Sequence, residues 1–310
     1  MTGEGVLTSH ADLVKVIREI HDDRDHAPLD QTRGRPEVTV SMPARNVEGF
    51  IVPAIRSVLA QEGVALEVIV VDDASEDGTA AAAASVGDPR VRLLRNVTRR
   101  GIGACHNRVL HESEAPFVAH VDSDDFIVPW ALRRMVDALR GRPGAAQAYA
   151  NHVLVEEDGS LSEDAYSVQR ASIERVRRLV RDYRRGLLVH GMVTNTLRTY
   201  RREALAAVGP FNERLPWAVD YEMSVRLANR YDMVLVPEFL YFQRVHTGNT
   251  QQTLSMRSIR SWRLRASICA GELRRNGGRL LGRSRTAVYG LLLLGLVHAA
   301  RGAVTGSGRG

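Results

Sequence analysis

The sequence predicts an α/β protein with a mainly parallel sheet flanked by helices, followed by a helical C-terminal extension. Three observations carry this. From Val38 to Phe126, short apolar runs with β-branched residues alternate with segments at helical spacing, the order of a parallel sheet. Three of the runs end in polar loops: Pro43 to Asn46, Asp72 to Thr79 and Asp122 to Asp125. Ligands of such sheets bind beyond the carboxyl ends of the strands. After Thr250 the chain becomes arginine-rich with helical spacing.

Taken in order, residues 1–36 hold an amphipathic segment, Leu13 to Ile20, and a polar run, His21 to His26. They read as a surface helix and a solvated linker, since nothing fixes a metal geometry on the His/Asp cluster. Val38–Met42 is a strand stopped by Pro43, and Phe50 to Leu59 has helical spacing. Pro53 must then sit in the first turn, so this helix should start near Val52. Leu66 to Val71 is a second strand, followed by an alanine-rich helix. Val91 to Leu94 is a third strand, and Ala104 to His111 a helix. Phe117 to Val121 is the fourth strand, and beyond it Pro129 should turn the chain into a helix.

The loop after the fourth strand carries the strongest chemical signal. Asp122, Asp124 and Asp125 place three carboxylates within four residues. Like charges that close repel unless a cation shares them, and carboxylate oxygens suit Mg²⁺ or Mn²⁺. An acidic helix cap is the bland alternative. Gly101-Ile102-Gly103 lacks the third glycine of the dinucleotide fingerprint, and no G-x-x-x-x-G-K-[ST] loop occurs. A dehydrogenase or P-loop nucleotidase is not expected on that basis.

Charge is unevenly distributed. Of a whole-chain +6, residues 257–310 carry +10, so the rest carries −4. That asymmetry suits a membrane surface or a polyanion; with no array of base-stacking aromatics, nucleic acid is not expected. Arg257 to Arg265 surround Ile259, Trp262 and Leu264 in a basic amphipathic pattern. Ala287 to Ala300 is 14 residues without a formal charge, short of the ~20 that span a bilayer. A buried helix or a peripheral membrane contact through residues 257–300 is expected, and disorder from Arg301 to Gly310. Cys105 and Cys269 match no metal or redox spacing, and the N-terminus has no signal pattern. A cytoplasmic protein, peripheral at most to the inner membrane face, is expected.

The ordered set Val38–Asn46, Val68–Thr79, Gly101–Asn107 and Val121–Asp125 resembles the nucleotide-sugar-binding half of family 2 glycosyltransferases with the GT-A fold, a Rossmann-like sheet. Gly209–Glu213, Val219–Glu222 and Arg244–Thr250 resemble that family's acceptor half. The resemblance implies a transferase domain over residues 37–250, divided near residue 150, with 251–310 as an extension. It implies a donor site of Pro43, Ala44, Arg45, Asn46, Asp73, Gly103, Asn107, Asp122, Ser123 and Asp124, with Asp73 accepting from the base imide. Asp122 and Asp124 match the D-x-D pair. With Asp125 and His246 they would hold Mn²⁺ or Mg²⁺ and the sugar diphosphate. Asp220 matches the base of the E-D pair, and Trp217 and Glu222 would meet the acceptor. The implied activity is hexosyltransferase-like and inverting, from a nucleotide-diphosphate sugar to a glycan or lipid-linked acceptor in surface polysaccharide or glycolipid synthesis. Two positions depart from the pattern: Val219 stands where the family often has Glu, and Arg45 where it commonly has an aromatic. A sugar nucleotidyltransferase and a non-catalytic glycan- or nucleotide-binding module of the same fold are the alternatives.

Overall fold

The computed structural model describes residues 9–21, 34–179, 182–194, 196–246 and 259–306. His21 closes a helix, whereas residues 22–26 of the polar run, residues 247–250 of the last motif and Arg257 lie outside the described residues.

β1 (Val38–Ala44), β2 (Leu66–Asp72), β3 (Val91–Arg95) and β4 (Phe117–His120) lie parallel in the order β3-β2-β1-β4. α2 (Ile51–Leu59), α3 (Thr79–Ser85) and α4 (Ile102–Glu112) connect them. Val38, Val40, Met42, Val68 and Val70 are fully buried, as expected of strands covered by helices on both faces. Pro53 is the third residue of α2, where no intrahelical donor is lost.

The chain then returns through the second half of the sheet. β5 (Phe126–Ile127), α5 (Ala131–Arg140), β6 (Ala145–Val155), α6 (Glu163–Leu179) and α7 (Tyr183–Val189) lead to β7 (Thr196–Arg201). α8 (Arg202–Val208), α9 (Val219–Arg230) and β8 (Asp232–Arg244) follow, and the full order is β3-β2-β1-β4-β7-β6-β8-β5. β7 runs antiparallel to both β4 and β6, and β6 and β8 are parallel. Phe126–Ile127 does not simply lead into a helix as expected: it pairs antiparallel with Tyr241–Phe242 of β8. That pairing makes Asp122–Asp125 a tight loop between two anchored strands.

Two large apolar cores pack on the sheet, and a small third cluster of Ile69, Val71, Cys105 and Val109 holds α4 against β2. The first takes in α2 and α5 together with α1 (His10–His21), which contributes Leu13, Val16, Ile17 and Ile20. The second joins α7 and α9 to the C-terminal α10 (Ile259–Arg275), the β9–β10 hairpin (Arg279–Leu280, Arg283–Ser284) and α11 (Arg285–Gly306). Ile268, Cys269, Leu273, Val288 and Leu292 are buried there. α11 approaches α7 closely at Gly295, where an added Cβ would lie 2.6 Å from the Val189 carbonyl oxygen. Trp262, expected on a lipid-facing stripe, donates its indole N–H to the Leu292 carbonyl at 2.6 Å. The expected disorder from Arg301 is corrected as far as Gly306: the helix runs on, because no proline or acidic break interrupts Ala299-Ala300-Arg301. Among the described residues no helix is long and apolar enough to cross a membrane.

Candidate active site

The loops after β1 and β2 meet at the carboxyl edge of the sheet and hydrogen-bond to each other. Asn46 has a left-handed backbone, φ 53°, a conformation Asn tolerates better than most residues. Its N–H donates to Ser75 Oγ at 3.1 Å, and its Oδ1 accepts from Glu76 N–H at 2.9 Å. Val47 N–H donates to Thr79 Oγ1 at 2.8 Å, and Gly78 N–H to Glu48 Oε2 at 3.0 Å. Arg45 pairs with Glu76 at 3.1 Å. Pro43 and the buried Ala44 end β1, and Asp73 N–H donates to the Ala44 carbonyl at 2.9 Å. The Asp73 carboxylate accepts from Asn96 Nδ2 at 2.7 Å, Arg100 N–H at 2.7 Å and Gly101 N–H at 2.8 Å. Burial pushes its pKa up, but these hydrogen bonds together outweigh it and the net shift is downward.

The acidic loop is organised differently. Asp122 N–H donates to the Tyr241 hydroxyl at 3.1 Å. The Asp122 carboxyl is pushed up to about 6, first by burial and then by Asp124 and Asp220, with Arg198 opposing. Ser123 is buried beside it. Asp125 is also raised, by burial and then by Asp124 and Asp122; its Oδ1 accepts from Arg244 N–H at 2.8 Å, and its carboxyl bonds the Tyr241 hydroxyl. His246 Nε2 lies 3.0 Å from Asp124 Oδ2, its ring against Phe50 at 4.6 Å between centroids. The buried Arg244 lies over the rings of Phe50 and Phe126, 5.6 and 4.9 Å from their centroids.

Among the described residues no three His, Cys, Asp or Glu side chains come together as a ready-made metal cage. The pair Asp124–His246 does fit a Mn²⁺- or Mg²⁺-type ion, which takes one or two protein ligands and completes its shell with phosphate oxygens and water. Asp125, expected with Asp122 among the ligands, is buried against Arg244 N–H and the Tyr241 hydroxyl, contacts that brace the loop.

Across the cleft, α9 starts after Ala218, whose φ of 60° is left-handed. Asp220 stands inside the first turn rather than at the cap. Its Oδ1 accepts from Tyr221 N–H at 2.9 Å, and its Oδ2 lies 3.1 Å from Arg198 Nη1. Arg198, in β7, carried no signal in the sequence, being one arginine among many. Trp217 is half-buried in the loop entering α9. Val219 is buried in the second core, so no second acid precedes Asp220. Glu222 does not reach the cleft: two residues on a helix turn the side chain to the opposite side. It is buried, paired with Arg226 at 2.8 Å, and lines a separate polar pocket of about 670 Å³ with Asn212, Arg230 and Arg275.

Two expected donor contacts are also corrected. Asn107 Nδ2 donates to the Phe211 carbonyl at 2.9 Å and to Glu213 Oε1 at 2.8 Å, while its Oδ1 accepts from Phe211 N–H at 2.8 Å. An added Cβ on Gly103 would lie 3.1 Å from the Asn212 carbonyl. Both residues hold the 209–213 turn against α4, and the Asn107 amide is committed to that turn on both its nitrogen and its oxygen.

The fold and its carboxyl-edge carboxylates define a GT-A-like transferase. The family model described as glycosyl transferase family 2 matches residues 39–209, and the chain belongs to that family. It is 32% identical over 238 residues to the uncharacterized protein MT1568 of Mycobacterium tuberculosis, covering 73% of this chain and 72% of that protein. It is 44% identical over 124 residues to the succinoglycan biosynthesis protein ExoO of Rhizobium meliloti, covering 40% of this chain but only 35% of ExoO. Its fold is similar to that of the Pyrobaculum calidifontis mannosyltransferase PcManGT, solved with GDP-Man and Mn²⁺, at TM-score 0.58 and 21% identity over 97% of this chain and 83% of that one.

Proposed function

We propose that the protein is a metal-dependent, inverting glycosyltransferase that moves a sugar from a nucleotide-diphosphate donor to an acceptor hydroxyl on a surface glycan or lipid-linked saccharide. The observation that carries this is that the paired Asp124–His246 and the anchored carboxylate of Asp220 come together around Asp122, on which both Asp124 and Asp220 act electrostatically. The metal-bound PcManGT complex and the polysaccharide role in ExoO's name support the same reading.

In this reading the loops around Asn46 and Asp73 receive the nucleoside, and Asp124 and His246 hold the divalent ion. The ion supplies charge stabilisation to the diphosphate as it leaves. Asp122, which the resemblance also places at the metal and diphosphate, lies within electrostatic reach of Asp124 and Asp220 and would add its charge beside the ion. Asp220 accepts the proton of the acceptor hydroxyl, which is too weak a nucleophile unaided. The acceptor oxygen forms its bond to the anomeric carbon as the bond to the diphosphate oxygen breaks. Attack opposite the leaving group inverts that carbon, and the nucleoside diphosphate departs with the electron pair. Trp217 offers an apolar face near Asp220 for the acceptor ring.

Peripheral contact with an anionic lipid surface would run through α11, where Tyr289, Leu293, Leu294 and Val297 are exposed downstream of the exposed Arg285. Sedimentation with anionic but not neutral vesicles is the outcome expected.

Calorimetry with UDP-, GDP- and dTDP-sugars, each with Mn²⁺ and with chelator, tests the transferase reading. One donor should bind only with metal. If a folded protein binds no donor under either condition, the reading fails and a non-catalytic glycan-binding module replaces it.

A further inference from the structure

We propose that Arg198 is the positioning residue for Asp220, delivered to it by a β-bulge in β7. The inference rests on the reading of Asp220 as the base.

The bulge is plain in the strand register. Ala148 of β6 faces Thr199 of β7, and Ala150 faces Thr196. Tyr149 alone therefore stands opposite both Leu197 and Arg198. Leu197 adopts φ 44°, a left-handed conformation that costs free energy in a residue with a side chain and persists only where packing enforces it. The Leu197 side chain is buried in the first core, which supplies that enforcement. Bulges re-aim side chains, and they recur beside active sites. Here the re-aimed side chain is a guanidinium only 11% exposed, ending 3.1 Å from Asp220 Oδ2.

The groups around Arg198 come from every neighbouring element. Asp220 of α9 and Asp122 of the β4–β5 loop are its anionic neighbours, with Tyr200 of β7 and Tyr241 of β8 beside them. On another side are His106 of α4 and His120 of β4, stacked at 3.7 Å with 3° between their planes. Both rings are buried and neutral: burial, helped by Arg198 itself, pushes His106 down to about 3 and His120 well below the ordinary range. Ser41 Oγ is 2.8 Å from His106 Nδ1 and steadies the stack. The anionic groups acting on Arg198 are Asp220 and Asp122.

This geometry has a consequence for the base. Tyr221 N–H holds Oδ1 of Asp220 and Arg198 holds Oδ2, so two anchors set the plane of the carboxylate. Without Arg198, Asp220 keeps one anchor and faces the repulsion of Asp122, which swings it away from the acceptor oxygen. Misplacement of about 1 Å costs catalysis on the order of 10²-fold. Asp124, His246 and the loops around Asn46 and Asp73 are not among the anionic neighbours of Arg198, so donor and metal binding change far less than turnover.

Arg198→Met and Arg198→Lys, measured for transfer kcat and for donor Kd in Mn²⁺, test this. The Met variant should lose about 10²-fold in kcat with a much smaller change in donor Kd, and the Lys variant should recover part of the loss. In an Asp220→Asn background, Arg198→Met should cost nothing further, because it acts through the group already removed. Equal losses in kcat and donor affinity, or additive losses in the double variant, would overturn the inference. If the Met variant fails to bind donor because it fails to fold, the Lys variant alone decides: unchanged kcat refutes the positioning role, and reduced kcat with intact Kd supports it. An active Asp220→Asn enzyme sinks the base reading itself. An inactive Asp220→Asn beside a fully active Arg198→Met sinks only the positioning role.

Discussion

Between Asn46 and Thr79 the polar groups at the mouth of the cleft hydrogen-bond one another, whereas between Asp122 and Asp125 they repel. In the first region the side chains of Ser75, Thr79, Glu48 and Asp73 accept backbone N–H donors, and the Asp73 pKa shifts down. In the second, burial and like charge push Asp122 and Asp125 up. The difference separates two ways of building a binding site. The loops around Asn46 and Asp73 are hydrogen-bonded together before any ligand arrives, which would lower the ordering cost of binding there. The acidic loop holds unfavourable charge, so under the proposed function a cation bound there would also stabilise the fold. Substitutions in the two regions should therefore have opposite signs in the metal-free protein.

Asp124→Ala should produce the largest effect: metal-dependent donor binding disappears in calorimetry, and turnover falls by about 10³-fold or more. Retained Mn²⁺-dependent binding would dissolve the contrast at its acidic end. Asp122→Asn should follow, raising the stability of the metal-free protein by on the order of 2 kcal/mol at neutral pH while turnover is lost. The sign follows from linkage. A carboxyl raised from 3.8 to about 6 contributes stability that is fully present below 3.8 and lost as pH climbs through about 6. The gain in melting temperature should accordingly shrink when the two proteins are compared at pH 4.5.

Asp73→Ala should move the other way. It strands the donors of Asn96, Arg100 and Gly101 and should destabilise the fold by about 1–3 kcal/mol in urea titration. Since its pKa is lowered, Asp73's stabilisation is present above 3.8 and fades as pH falls through its folded value. A stability gain here would end the comparison. The smallest effect is expected for Glu76→Ala, which removes only an ion pair to Arg45 with Glu76 80% exposed. A change below about 0.5 kcal/mol would assign the rigidity of the loops to their side-chain-to-backbone bonds.

How far each feature could be read in advance follows from the range of the interaction behind it. The four parallel strands and their helices were legible because apolar periodicity is local: Leu66–Val71 and Val91–Leu94 each fall within a residue of the observed ends. Asp124 with His246 came from motif resemblance, and the structure brings them together across 122 residues. Gly103 and Asn107 were expected at the donor from the family resemblance, and a glycine and an asparagine in the opening turns of a helix look the same whether they meet a ligand or a neighbouring turn. Only the position of Phe211–Glu213 distinguishes the two. Glu222 was expected at the acceptor although a helix turns it away from Asp220, and the structure shows it paired with Arg226.

What the sequence determined by itself is the alternation of strand and helix, the family, and the carboxylates at the ends of its strands, since these depend on local pattern and order. Tertiary structure decided which carboxylates share the cleft, that Asp125 turns inward, that the C-terminal helices join the second core, and that Arg198 meets Asp220. The physical reason is that such decisions depend on pairing between distant segments. In β7, one extra residue opposite Tyr149 re-aims an arginine, and nothing in the order of the letters marks the place.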